Sequence, residues 1–128
     1  MESTKQKTSE SIEDYLETIL LLAKDEGSVR SIDVVRELHF SKPSVSVAVK
    51  NLKNQGYINV DEKGYITLTE TGEKIAKTVL ERHTIISDWL ISLGVDEKTA
   101  LEDACRMEHT MSVKSFKAIK KHIKDYEK

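Results

Sequence analysis

The chain has 128 residues, of which 33% are charged and 38% hydrophobic, a formal net charge of −2 at pH 7, five glycines, one proline and one cysteine. That length suits one compact domain or two small, closely packed ones, with a modest core that association with a second copy would enlarge. The single Cys105 excludes an intrachain disulfide, no apolar run approaches the roughly 20 residues of a membrane span, and the polar start from Met1 to Lys7 lacks a signal peptide's apolar core, so a cytoplasmic protein without a membrane partner is expected.

Sparse glycine and the single Pro43 favour helix. From Ser11 to Lys24, apolar residues at Ile12, Tyr15, Leu16, Ile19, Leu20 and Ala23 predict a first helix, with Asp14, Glu17 and Leu21 along another side. Gly27 ends it. Ser31 opens a short second helix whose inner face is expected to be Ile32, Val35 and Leu38. After a tight His39-Phe40 connection, Ser41 is placed to cap a third helix with Pro43 in its first turn, running to about Gln55 with Val45, Ala48, Val49 and Leu52 inward. Gly56 closes it. Two β-rich runs, Tyr57 to Val60 and Tyr65 to Leu68, then flank Asp61-Glu62-Lys63-Gly64 as a hairpin.

Further on, Ile75, Val79, Ile86, Leu90 and Leu93 mark a long helix from about Thr71 to Ser92, with His83 inside the stripe. Gly94 breaks it. Asp96 caps a helix with Leu101, Ala104 and Cys105 inward, and Ser112 caps a last one bearing Val113, Phe116, Ile119, Ile123 and Tyr126. The order is mainly α: an N-terminal winged helix-turn-helix with a two-stranded wing over residues 1–70, then an all-α domain over 71–128.

The third helix has the profile of a recognition helix. Net charge does not advertise a nucleic-acid binder, yet Ser41 to Val60 carries Lys42, Lys50 and Lys53 and no acid. Small side chains at Ser44 and Ser46 let such a helix enter a major groove about 12 Å wide, while lysines and N-terminal N–H groups take phosphate oxygens. The candidate DNA-contacting residues are Ser41, Lys42, Pro43, Ser44, Ser46, Val47 and Lys50. Lysines alone would describe a solvated face; the preceding helix and the wing are what favour DNA.

A second constellation is Cys105-Arg106-Met107-Glu108-His109. Residues three and four apart on a helix are neighbours, so a thiol, a carboxylate and an imidazole share one face there, a donor set suited to a first-row transition ion. Glu108 continues an inward stripe, and a buried carboxylate normally finds a cation or is protonated. Taken singly, Cys105 reads as a small buried hydrophobe and His109 as a helix end. Asp14 and Glu17 read as solvent-facing acids, or as a Ser11-x-x-Asp14 cap and a surface ion pair, and His83 as a core histidine.

Glu13-Asp14-Tyr15-Leu16-Glu17-Thr18-Ile19, Ser41-Lys42-Pro43-Ser44-Val45-Ser46, Arg82-His83 and Asp103-Ala104-Cys105-Arg106-Met107-Glu108-His109-Thr110-Met111-Ser112 together resemble the diphtheria-toxin-repressor-like metalloregulators, in a size near that of the manganese transport regulator branch. The likeness runs from Ser9 to Tyr126. It implies a homodimeric repressor that binds a palindromic operator on double-stranded DNA and controls metal-uptake genes. Carried over, the metal ligands are Asp14, Glu17, His83, Cys105, Glu108 and His109. The set mixes branches: Asp14 is the manganese-type residue and Cys105 the iron-type one, so Mn²⁺ or Fe²⁺ is expected, with Co²⁺ or Zn²⁺ as substitutes. Ser87 and Leu101 depart from the ancillary-site ligands of the iron branch. Two rival readings are a winged-helix regulator using Cys105 as a redox switch without metal, and a small metallohydrolase. No His-Glu-x-x-His run supports an enzyme.

Overall fold

Tyr15, Leu16, Ile19, Leu20 and Leu22 recur at helical spacing and are buried, which anchors α1 (Glu2–Glu26). The computed structural model describes residues 2–126, with side chains from residue 12 onward except that of Glu108. α1 starts well before the Ser11 expected from the apolar stripe. Residues 2–10 contain no glycine or proline, so nothing in them stops the helix from propagating. Ser11 is therefore a helix-interior residue rather than the first-turn position a cap requires, and its side chain lies outside the described residues.

α2 (Ser31–Leu38) ends at His39, whose left-handed conformation (φ 57°) turns the chain and whose N–H donates to the Val35 carbonyl at 2.9 Å. α2 packs on both α1 and α3, and its fully buried residue is Val34. The expected inner face differs: Ile32 is 42% exposed, and Val35 and Leu38 are half-buried. α3 (Lys42–Asn54) matches its expected bounds and buries Val45, Val49 and Leu52.

The strands form one antiparallel sheet in the order β1-β3-β2, made of β1 (Val29–Arg30), β2 (Ile58–Val60) and β3 (Tyr65–Leu68). Ile58 pairs with Leu68 and Val60 with Ile66 in the expected hairpin, while β1 adds a third strand through Val29 opposite Ile66. Asp61 organises the hairpin turn, its Oδ1 accepting from the N–H groups of Lys63 and Tyr65, both at 2.9 Å.

α4 (Glu70–Ser92), α5 (Glu97–Thr110) and α6 (Val113–Tyr126) complete the chain. Asp96 caps α5 by accepting from Thr99 N–H at 3.0 Å, and Ser112 caps α6 by accepting from Ser115 N–H at 3.1 Å. Ile86, Ala104 and Phe116 form a core lined by Ile85, Leu90, Met107 and Met111. Leu93, Leu101, Val113 and Tyr126, expected inward, are 65%, 43%, 52% and 82% exposed. Leu93 lies past the end of α4, Val113 and Tyr126 are the first and last residues of α6, and Leu101 lies inside α5, where Ala100 and Ala104 are the buried residues. The chain divides into two compact units, Met1–Lys77 and Thr78–Lys128, the division falling within α4. Among the described residues, no helix is long and apolar enough to cross a membrane.

Candidate nucleic-acid interface and metal ligands

Both ends of α3 are fixed by side-chain and backbone bonds. The Ser41 hydroxyl accepts from Ser44 N–H at 3.2 Å and donates to Ser44 Oγ at 2.8 Å, with Pro43 in the first turn. With Val45, Val49 and Leu52 held in the core, the opposite face presents Ser44, Ser46, Val47, Lys50 and Asn51 to solvent, and Lys42 and Pro43 are exposed at its start. Val47 is 61% exposed, an apolar side chain on the outer face of a helix that already has a buried stripe. All seven residues expected to meet DNA thus lie on or next to this face.

The wing carries a feature that sequence reasoning missed. Arg30 in β1 donates from Nη2 to the Lys63 carbonyl at 2.6 Å and places its guanidinium 5.2 Å from the centre of the Tyr65 ring. Its backbone N–H donates to Asp33 Oδ2 at 2.9 Å, so one residue ties the hairpin turn to the start of α2. The two-residue β1 offers too short an alternation to be visible beforehand.

Of the expected metal ligands, Asp14 and Glu17 lie on α1, where Asp14 is half-buried and Glu17 only 8% exposed. The solvent-facing reading of Glu17 is therefore wrong. Between them the Tyr15 ring is buried edge-on against Phe40, with ring centres 6.0 Å apart, and burial pushes its hydroxyl pKa up. His83 is half-buried on α4 beside Arg82, whose guanidinium lies 5.4 Å from the Phe116 ring centre.

On α5, Cys105 and His109 are half-buried, and the Cys105 sulfur and a His109 ring nitrogen lie within 4.8 Å of each other. Two donors that close can share one ion, and thiolate with imidazole is the chemistry of first-row transition metals rather than of calcium or magnesium. The residues present therefore fit such an ion. Glu108 belongs to the same helix, but its side chain lies outside the described residues. Ser87, buried at 3% exposure, donates its hydroxyl to the Thr84 carbonyl at 3.1 Å, and Leu101 is exposed.

Two family profiles match the chain: the N-terminal DNA-binding domain of iron-dependent repressors over residues 7–66, and their metal-binding and dimerisation domain over residues 69–128. An HTH-type transcriptional regulator of Methanocaldococcus jannaschii is 39% identical over 114 residues, 88% of this chain and 91% of that protein. The transcriptional regulator MntR of Escherichia coli is 36% identical over 111 residues, covering 87% and 72% respectively. Among solved structures, the metal-dependent transcriptional regulator MtsR superposes with a TM-score of 0.82 at 27% identity, and the manganese regulator SloR with 0.78 at 25%. Each match covers 88% of this chain and 53% of the other, so the chain spans about half the length of those two proteins.

Proposed function

The chain belongs to the iron-dependent repressor family, the diphtheria-toxin-repressor-like metal-dependent transcriptional regulators, and from that premise we propose that it is a homodimeric repressor whose affinity for a palindromic operator is set by Mn²⁺ or Fe²⁺. The regulated genes are those of metal uptake. The observation that carries the metal side of this reading is the Cys105–His109 donor pair on α5.

The proposed ligand set is Asp14 and Glu17 from α1, His83 from α4, and Cys105, Glu108 and His109 from α5. When bound, the ion supplies positive charge and a fixed coordination geometry. The chain's own residues do the rest. Carboxylates at Asp14, Glu17 and Glu108 must be ionised, the imidazoles neutral and the Cys105 thiol deprotonated, so binding releases protons and strengthens as pH rises. An ion that draws donors from α1 as well as from α4 and α5 favours one arrangement of the protein over its alternatives. If that arrangement is the DNA-binding one, metal and operator strengthen each other's binding by the same factor.

On the DNA side, Ser44 and Ser46 give α3 a slim leading face for the major groove, and Val47 offers an apolar contact of the kind a thymine methyl accepts. Lys42, Lys50 and the capped N-terminus of α3 serve phosphate oxygens. Two such helices in a homodimer meet half-sites about one helical turn apart.

An anaerobic mobility-shift titration with Mn²⁺, with Fe²⁺ and with chelator tests the proposal. Tighter binding with either metal is expected; equal affinity in metal and chelator would overturn it. Peroxide-sensitive binding that persists in chelator and vanishes in Cys105→Ser would favour the redox switch instead.

A further inference from the structure

The recognition helix ends on two residues whose carbonyls are both taken by one threonine. Gly56 N–H donates to the Lys53 carbonyl at 3.1 Å and Tyr57 N–H to the Leu52 carbonyl at 3.0 Å, closing α3 with Gly56 in the left-handed region at φ 83°. The carbonyls of those two closing residues then go to Thr69. Its Oγ1 donates to Gly56 O at 2.7 Å, and its backbone N–H donates to Tyr57 O at 3.0 Å.

The same hydroxyl accepts from Gly72 N–H at 3.1 Å, and the Thr69 carbonyl accepts from Glu73 N–H at 2.8 Å, which makes Thr69 the N-cap of α4. Capping alone needs only an acceptor, and aspartate or serine would serve as well as threonine. Donation to Gly56 needs an O–H. Next to this joint, Gly72 packs so tightly on Tyr57 that a Cβ there would stand 2.9 Å from the Tyr57 carbonyl carbon, leaving α4 no room to slide toward the end of α3.

We propose that Thr69 is a positioning residue that couples metal occupancy to the recognition helix. It fastens the closing turn of α3 to the first turn of α4, the helix that also carries the proposed ligand His83. The inference rests on the metal-dependent reading above. Any shift of the first turn of α4 is transmitted to the end of α3 through two hydrogen bonds and a steric stop, rather than through a compliant loop.

Three full-length proteins test it: wild type, Thr69→Ser, which keeps donor and acceptor, and Thr69→Asp, which keeps the cap but cannot donate to Gly56. DNA affinity is measured by fluorescence anisotropy with Mn²⁺ and with chelator, on a duplex selected for wild-type binding. Mn²⁺ affinity without DNA and the melting temperature are measured in parallel. Wild type and Thr69→Ser should share one metal-induced gain in DNA affinity to within about twofold, and Thr69→Asp should lose about tenfold of it, within the ordinary range of coupling. Its Mn²⁺ affinity in the absence of DNA should be unchanged.

A Thr69→Asp protein with the full gain overturns the inference, as does one whose Mn²⁺ affinity falls without DNA, since the lesion would then be in the metal site. A wild type with no gain is instead the failure of the metal-dependent reading itself. Should Thr69→Asp not fold, Thr69→Val, similar in volume and without the hydroxyl, takes its place with the same expected loss.

Discussion

Gly72 of α4 lies against the backbone of Tyr57 so closely that a Cβ on the glycine would overlap the tyrosine carbonyl oxygen and stand 2.9 Å from its carbonyl carbon. Gly72 is helical and buried, so it is there for space rather than for an unusual φ. Two effects compete in Gly72→Ala. Helix propensity favours alanine by about 1 kcal/mol, whereas overpacking costs about 1–3 kcal/mol even where side chains can adjust. Here the obstacle is backbone, so the packing cost wins. Urea unfolding should show Gly72→Ala destabilised by about 2 kcal/mol; a stability equal to or above wild type would mean that the α4 start and Tyr57 separate freely.

The elements that sequence reveals are those whose ends and faces are written locally. α3 is the clearest: Ser41, Pro43 and Gly56 mark its limits, and one stripe through Val45, Val49 and Leu52 gives its buried side. Glu17 is the opposite case. The apolar stripe of α1 leaves it outside, yet every residue from Tyr15 to Leu20 is buried, because α1 is covered around most of its circumference. Periodicity gives the direction of one apolar face and not how many neighbours surround a helix. The contact of Gly72 with Tyr57 and the clamp of Arg30 on Lys63 join residues far apart in sequence, which no local pattern records. Within the candidate metal site, the Cys105–His109 pair was legible because one helical turn sets its spacing. Asp14, Glu17 and His83 stand on other helices, and only the family resemblance brought them into the ligand set.

Lys50 is exposed on the outer face of α3, opposite the buried Val45 and Val49. If it meets a phosphate, Lys50→Ala should weaken binding about equally on operator and unrelated DNA. The slope of log K against log salt should fall by about 0.9, the counterion release of one phosphate contact. An anisotropy titration over several salt concentrations measures this directly. An unchanged slope would place Lys50 outside the interface.

Acid should loosen the caps and surface pairs first. Thr99, through its backbone N–H and its side chain, holds the Asp96 carboxyl below its ordinary pKa, and Lys77, 2.7 Å away, does the same for Glu73. Each group binds fewer protons when folded than when unfolded over that interval. Their contribution is therefore complete above the ordinary carboxylate range and is lost as pH falls through the depressed values. Between about pH 5 and pH 2, the melting temperature of the wild type should approach that of Asp96→Ala. A gap that stays constant over the same range would remove Asp96 titration as its cause.

Cys105 is the ligand that most affects which metal is chosen. A thiolate favours softer ions, so Cys105→Ser should cost far more affinity for Co²⁺ and Zn²⁺ than for Mn²⁺, which oxygen ligands such as Asp14 and Glu17 satisfy. The replacement is nearly isosteric, and Cys105 is only half-buried, so the fold should be retained. Cobalt reports on the bond itself, because Co²⁺ held by a thiolate shows an intense sulfur-to-metal absorption in the near ultraviolet. Wild-type protein titrated with Co²⁺ should develop that band, and Cys105→Ser should not. If the band is absent from the wild type and the serine variant binds both metals unchanged, the thiol stands beside the site, and the remaining carboxylates and imidazoles alone determine selectivity.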